Sequence, residues 1–189
     1  MPRHDPFLFL APIYDRVFQR LEVGPLAEAA GLPIGGRLLD AGGGTGRIAQ
    51  KLAGRAGQVV VADASRAMLV RARAKAGLRL AQAGAERLPF AARCFERVIV
   101  VDAYHHLPRQ SEALDELWRV LAPGGRLVIE EPDIRHLAVR LVALAERLAR
   151  MGSRFHAPDA IAAALERRGA RVVLQRDGHA ARVIAYKPA

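Results

Sequence analysis

Apolar and polar positions along the chain of 189 residues fall into short alternating blocks. Apolar runs at 37–40, 58–63, about 78–82, 97–102 and 126–130 read as strands. Helical blocks lie between them. Residues 13–30 read as a helix closed by Gly31, and residues 45–53 as the helix after the first strand. Ser65 is expected to cap a helix through Ala76, because its short side chain can accept a free backbone N–H. Ser111 is expected to cap another through Leu121, ended by Pro123-Gly124-Gly125. Helices over about 134–150 and 158–168 follow, the second with Pro158 in its first turn. Strands at 171–176 and 182–187, joined by Asp177-Gly178, close the chain as a hairpin. That order predicts an α/β fold. Its core is a doubly wound, seven-stranded, mostly parallel sheet with helices on both faces. One antiparallel strand is expected near the edge. With no repeat, linker or low-complexity tract, residues 1–189 read as a single domain.

The first strand carries the chemistry. It runs through Leu38 and Leu39 to Asp40, then Gly42, Gly44 and Gly46 alternate, then a helix begins. Glycine lets the backbone turn sharply and a ligand approach it closely. The N-terminus of the next helix offers free N–H groups. The spacing is D-x-G-x-G-x-G, with Arg47 where the dinucleotide pattern has its last glycine. Asp40 would repel a pyrophosphate but can pair with an ammonium group. Asp63 ends the second strand 23 positions later, where a βαβ unit places the acid that grips ribose hydroxyls.

Charge and composition narrow the classes. The net charge is +10, and all but three of the 29 basic residues are arginines, spread along the chain without interleaved aromatics. A solvated basic surface accounts for this more simply than a nucleic-acid or anionic-membrane face. One cysteine, Cys94, excludes an internal disulfide and a cysteine metal cluster, and no metal site is expected. No run reaches the ~18 apolar residues of a membrane span. The N-terminal apolar stretch is short and charged for a signal peptide. The expectation is a soluble, cytoplasmic protein.

Four segments resemble a known family: LLDAGGGTGRIA (38–49), AERLPFAARCFERVIV (85–100), DAYHHL (102–107) and RVLAPGGRLVIEEP (119–132). Ile13-Tyr14-Asp15 adds a fifth point of likeness. Together they resemble the class I S-adenosylmethionine-dependent methyltransferases, in particular the ubiquinone and menaquinone biosynthesis branch. The resemblance implies the same Rossmann-like arrangement and S-adenosylmethionine as cofactor, with S-adenosylhomocysteine as product. It assigns the methionine end to Asp40 and the loop of Gly42, Gly44 and Gly46, and the ribose to Asp63 beside Ala64. Met68, Ala85 and Glu86 fall around the adenine, with core packing the equal alternative for Met68, and Asp102 falls at the fourth strand's mouth. Tyr14 would close over the cofactor from an N-terminal helical lid (residues 1–35). Gly84 stands where the family has an Asp that accepts from the adenine amino group, so Glu86 or a water is the available substitute. His105 and His106 are candidates for a catalytic base, or for a backbone-bonding role.

What the sequence lacks excludes some substrates. There is no Asn/Asp-Pro-Pro-Tyr/Phe motif for amino-group methylation of adenine or glutamine, and no Pro-Cys pair for pyrimidine C5. A small apolar or aromatic acceptor remains the favoured reading. An RNA methyltransferase and a non-catalytic cofactor-binding protein are the alternatives. Leu137, Leu141, Leu144 and Leu148 form one stripe in the short helical cap region, residues 134–168. That stripe would cover an acceptor, touch a membrane surface, complete a homodimer or pack on the sheet.

Overall fold

The computed structural model describes residues 23–137, 139, 140, 144, 153–178 and 180–189. A seven-stranded sheet runs through it in the order β3-β2-β1-β4-β5-β7-β6. The strands are β1 (Ile34–Ala41), β2 (Ala56–Asp63), β3 (Leu78–Gln82), β4 (Phe95–Val101), β5 (Leu121–Pro132), β6 (Arg171–Asp177) and β7 (Ala180–Tyr186). β1 to β5 pair in parallel. β7 runs antiparallel to both β5 and β6. The expected doubly wound sheet with one reversed strand is what forms.

Helices cover both faces. On one face lie α1 (Gly24–Ala30), α2 (Arg47–Leu52) and α3 (Arg66–Ala72), which bury Leu26, Ile48, Leu52 and Leu69 against Leu38, Val59 and Ile99. On the other lie α4 (Gln110–Val120) and α5 (Pro158–Glu166), with Leu114, Leu117, Ile161 and Leu165 against Leu39, Val98, Val100 and Leu127. The central strands are apolar on both faces because both are covered.

Local signals were right where local bonds decide. Gly31 closes α1 with φ of 63°, the left-handed cap that favours glycine. Ser65 Oγ accepts the Met68 N–H at 3.3 Å and starts α3. Two expectations need correction. Ser111 does not cap α4: the cap position is Arg109, with no side-chain bond. The Ser111 hydroxyl instead accepts from Arg168 Nη2 at 3.1 Å. Nor do Pro123-Gly124-Gly125 end that helix. It stops at Val120, and Leu121 already pairs with Phe95 as β5 begins. The Pro-Gly-Gly segment bulges between that pairing and Arg126, with Gly124 at φ 71°. The helix expected over 134–150 falls largely outside the described residues. Of its stripe, Leu137 and Leu144 are exposed, whereas Leu141 and Leu148 lie outside. Tyr14 and most of the expected lid also lie outside.

Candidate functional site

The carboxyl ends of β1, β2, β4 and β5 meet along one edge of the sheet and carry its acids. Asp40 sits near the end of β1, in register with Val61 and Ile99. It is fully buried, and Oδ2 has no hydrogen-bond partner among the described residues. A Cβ on Gly43 would come within 2.6 Å of its carboxyl carbon, so the loop closes over Asp40 only because that residue is glycine. Burial, then the nearby Asp63 charge, pushes the Asp40 pKa up to about 7, against the pull of Arg47. The Ala49 backbone also bonds the carboxyl, and the Oδ2 left without a hydrogen-bond partner in so buried a place favours a cation arriving beside it.

The loop itself is held open by φ values of 74°, 56° and 72° at Gly42, Gly44 and Gly46. A Cβ at Gly42 would meet Ala103 at 2.8 Å, and one at Gly46 would meet Leu78 at 2.8 Å. Asp63 ties the loop to the next helix. Its Oδ2 accepts the Gly44 N–H at 2.8 Å and its Oδ1 the Ser65 N–H at 2.7 Å. A carboxylate only accepts hydrogen bonds, the chemistry that suits ribose hydroxyls. Met68 is buried, with its sulfur 4.0 Å from where a Gly44 Cβ would stand. Ala64 is exposed beside Asp63, and Ala85 is buried.

Glu86 fills the space that Gly84 leaves. A Cβ at Gly84 would lie 2.7 Å from Glu86 Oε2. The Glu86 side chain is nearly buried and faces Arg109 at 3.7 Å. The glycine therefore makes room for a carboxylate supplied from two residues further on.

At the mouth of β4, Asp102 takes a left-handed φ of 49°, a strained conformation for a residue with a side chain. Burial first, then Glu131, raises its pKa to about 6, while Arg47 lies 3.6 Å away. The turn Tyr104–His106 follows and is bound to β5 through one side chain. Glu131 accepts the Tyr104 N–H at 2.8 Å, the His105 N–H at 3.3 Å and His105 Nδ1 at 2.5 Å. His105 is buried and stacks on Phe155, with ring centroids 4.2 Å apart. His106 packs on His105 at 4.0 Å, and its Nδ1 is 3.0 Å from Ser153 Oγ. Burial, helped by His105, lowers the His106 pKa to about 4, so its ring is neutral near pH 7.

Asp40, Asp63, the glycines, Glu86, Asp102, His105 and His106 thus gather along the strand ends, as sequence spacing led us to expect. Arg47, Ser153 and Phe155 were missed. Arg47 carried a signal, a basic residue in the first turn of the helix after an acidic strand end. Ser153 and Phe155 carried none, being some fifty residues from the histidines they touch.

The family described as "Methyltransferase domain" matches residues 39–129. The ubiquinone/menaquinone biosynthesis C-methyltransferase UbiE of Pseudomonas putida is 38% identical over 114 residues, covering 55% of this chain and 44% of that protein. The chain spans less than half the length of such curated relatives. The phosphoethanolamine N-methyltransferase 2 of Haemonchus contortus, solved with phosphomonomethylethanolamine and S-adenosylhomocysteine, superposes with a TM-score of 0.80 at 17% identity. It covers 99% of this chain and 59% of that one. The [4+2]-cyclase SpnF superposes with a TM-score of 0.75 at 19% identity, covering 93% and 82%. At these identities structural likeness establishes the fold alone, and the cyclase shows that the fold does not dictate the reaction.

Proposed function

We propose that this chain, which carries a class I S-adenosylmethionine-dependent methyltransferase domain similar to UbiE, transfers a methyl group from that cofactor to a small apolar or aromatic acceptor. The observation that carries the reading is the buried Asp40 carboxyl under a glycine loop, its Oδ2 without a hydrogen-bond partner among the described residues, with Asp63 on the neighbouring strand. The residues fit a cofactor that bears an ammonium group and a ribose. Asp40 would hold the cationic methionine end, Asp63 the ribose hydroxyls, and Met68, Ala85 and Glu86 the adenine. Bound there, the cofactor supplies an electrophilic methyl on a positively charged sulfur.

The chain's own part is alignment and the exclusion of water, which can contribute about 7–11 kcal/mol when the reacting groups are well placed. The acidic strand edge suits a cationic cofactor electrostatically. Two features support an apolar or aromatic acceptor: the likeness to C-methyltransferases, and the ring cluster beside the β4 mouth, where His105 stacks on Phe155 and His106 packs tilted against His105. Of the two histidines, His105 is the positioning group, held by Glu131. His106 is neutral near pH 7, and with a pKa of about 4 it is at most a weak base for an acceptor's proton.

The test is calorimetric titration with S-adenosylhomocysteine and with NAD. The demethylated product should bind and NAD should not. Asp63→Ala removes charge-assisted bonds of about 1.5–3 kcal/mol each, so it should weaken binding tenfold or more. Unchanged affinity in that variant would place the ribose elsewhere, and tight NAD binding alone would sink the assignment.

A further inference from the structure

A separate concavity of about 540 Å³ lies between α4 and α5, away from the glycine loop. That volume is in the range of small-molecule sites. Leu114 and Ile161 give it a buried apolar floor. Its rim is basic, formed by Arg109, Arg154, Arg167, Arg168 and His156. Among the described residues Glu112 is the one acid that lines it, and it is paired with Arg109 at 2.8 Å. Arg168 is paired with Asp115 at 2.8 Å. Arg154 and Arg167 are exposed and have no ion-pair partner among the described residues.

The rim is built rather than incidental. Gln110 Nε2 donates to the carbonyls of Tyr104 at 3.0 Å and Arg154 at 2.8 Å. Its Oε1 meets His156 Nε2 at 2.8 Å. One side chain thus fixes the turn after β4 and the segment carrying Arg154 and His156. α4 also starts here, without a side-chain cap, and its bonding begins with the Ala113 N–H on the Arg109 carbonyl. The N–H groups of Gln110, Ser111 and Glu112 precede that first bond and give the rim the positive end of an eleven-residue helix.

We propose that this cavity binds a small phosphorylated molecule. Its phosphate would sit at the rim near Arg154, Arg167 and the start of α4, and its carbon body on the Leu114–Ile161 floor. Two arginines without acids, beside a helix N-terminus, match a dianion. The floor and volume match more than a bare ion. The basic groups converge on one cavity and do not form a stripe with stacking aromatics, which sets the site apart from a nucleic-acid surface. None of the cofactor residues lines the cavity, although rim Arg109 faces Glu86 and the Arg154 N–H bonds the His105 carbonyl.

The experiment is calorimetric titration of the full chain with glycerol 3-phosphate, inorganic phosphate, succinate and a short oligoribonucleotide. S-adenosylhomocysteine binding is measured in parallel, so that failure of the two readings can be told apart. Glycerol 3-phosphate should bind saturably and more tightly than inorganic phosphate or succinate. Arg154→Gln and Arg167→Gln should each weaken it by about tenfold, the loss of a charge-assisted contact. Arg55→Gln, an equal charge change on the far surface, should not. No saturable phosphate binding, equal binding of succinate, or an equal loss in Arg55→Gln overturns the proposal. So does tighter oligoribonucleotide binding that is lost in the same two variants.

Discussion

Asp40 is where burial and function meet most directly. Its ordinary pKa is about 3.9, and in the fold it is about 7. A raised carboxyl pKa means that the folded state holds a proton that the unfolded chain has released. This contribution to stability is present below about pH 4 and is lost as pH rises through 7. A cationic ligand reverses the preference by favouring the charged form. Affinity for S-adenosylhomocysteine should therefore rise from pH 5 to 7, by up to about tenfold per unit, and level off above. Calorimetry in buffers of different ionisation enthalpy should show proton release below pH 7, and Asp40→Asn should reduce both effects to the share that Asp102, with its pKa of about 6, contributes. Gly84 allows an equally local prediction. Its missing side chain looks like a gap in the sequence, yet Glu86 occupies the space. Gly84→Asp would press a second carboxylate against the first, so it should not tighten cofactor binding. Gly84→Asp combined with Glu86→Ala should bind better than Gly84→Asp alone. A gain in the single variant, measured by the same titration, would show that Glu86 does not serve the adenine.

At the scale of elements, β5 does more than extend the sheet. Glu131 near its end holds the whole Tyr104–His106 turn through three bonds. Glu131→Ala would leave two backbone N–H groups and an imidazole nitrogen unpaired in a buried place. Each unmet group costs about 1–3 kcal/mol, and each kcal/mol lowers the melting temperature of a chain this size by about 2–4 °C. The variant should melt several degrees lower and lose turnover, whereas Glu131→Gln should recover part of the stability. A melting temperature unchanged in Glu131→Ala would refute the anchoring role. The neighbouring Glu130 bonds Arg182 on β7, a buried pair across the antiparallel seam. Both contacts join residues far apart in sequence, and neither element signals the other.

Across the whole molecule, charge is sorted along the strands. Arg97, Arg126 and Arg171, with Glu96 beside them, lie toward one end of the sheet, while Asp40, Asp63, Asp102, Glu130 and Glu131 lie toward the other, where Arg182 pairs with Glu130 and Arg47 with Asp102. A chain of net charge +10 therefore presents an acidic edge to a cationic cofactor. A ligand that binds only the folded state stabilises it, by about 2.7 kcal/mol at a hundred times its dissociation constant. S-adenosylhomocysteine at that excess should raise the melting temperature by several degrees, and NAD should leave it unchanged. By itself the sequence determined the succession of strands and helices along the chain, the glycine loop, the Ser65 cap and the acids at strand ends. Each of these rests on neighbours in the chain, on periodicity or on a residue's own backbone freedom. The tertiary structure alone decided which acids are buried beneath a loop and which are tied to backbone. It made Asp40 weakly acidic, because burial depends on what packs above it. It gave the Ser111 hydroxyl to Arg168, because a partner 57 residues away outcompetes a local cap. It joined His105 to Glu131 across 26 residues, a pairing that only the parallel alignment of β4 with β5 can create.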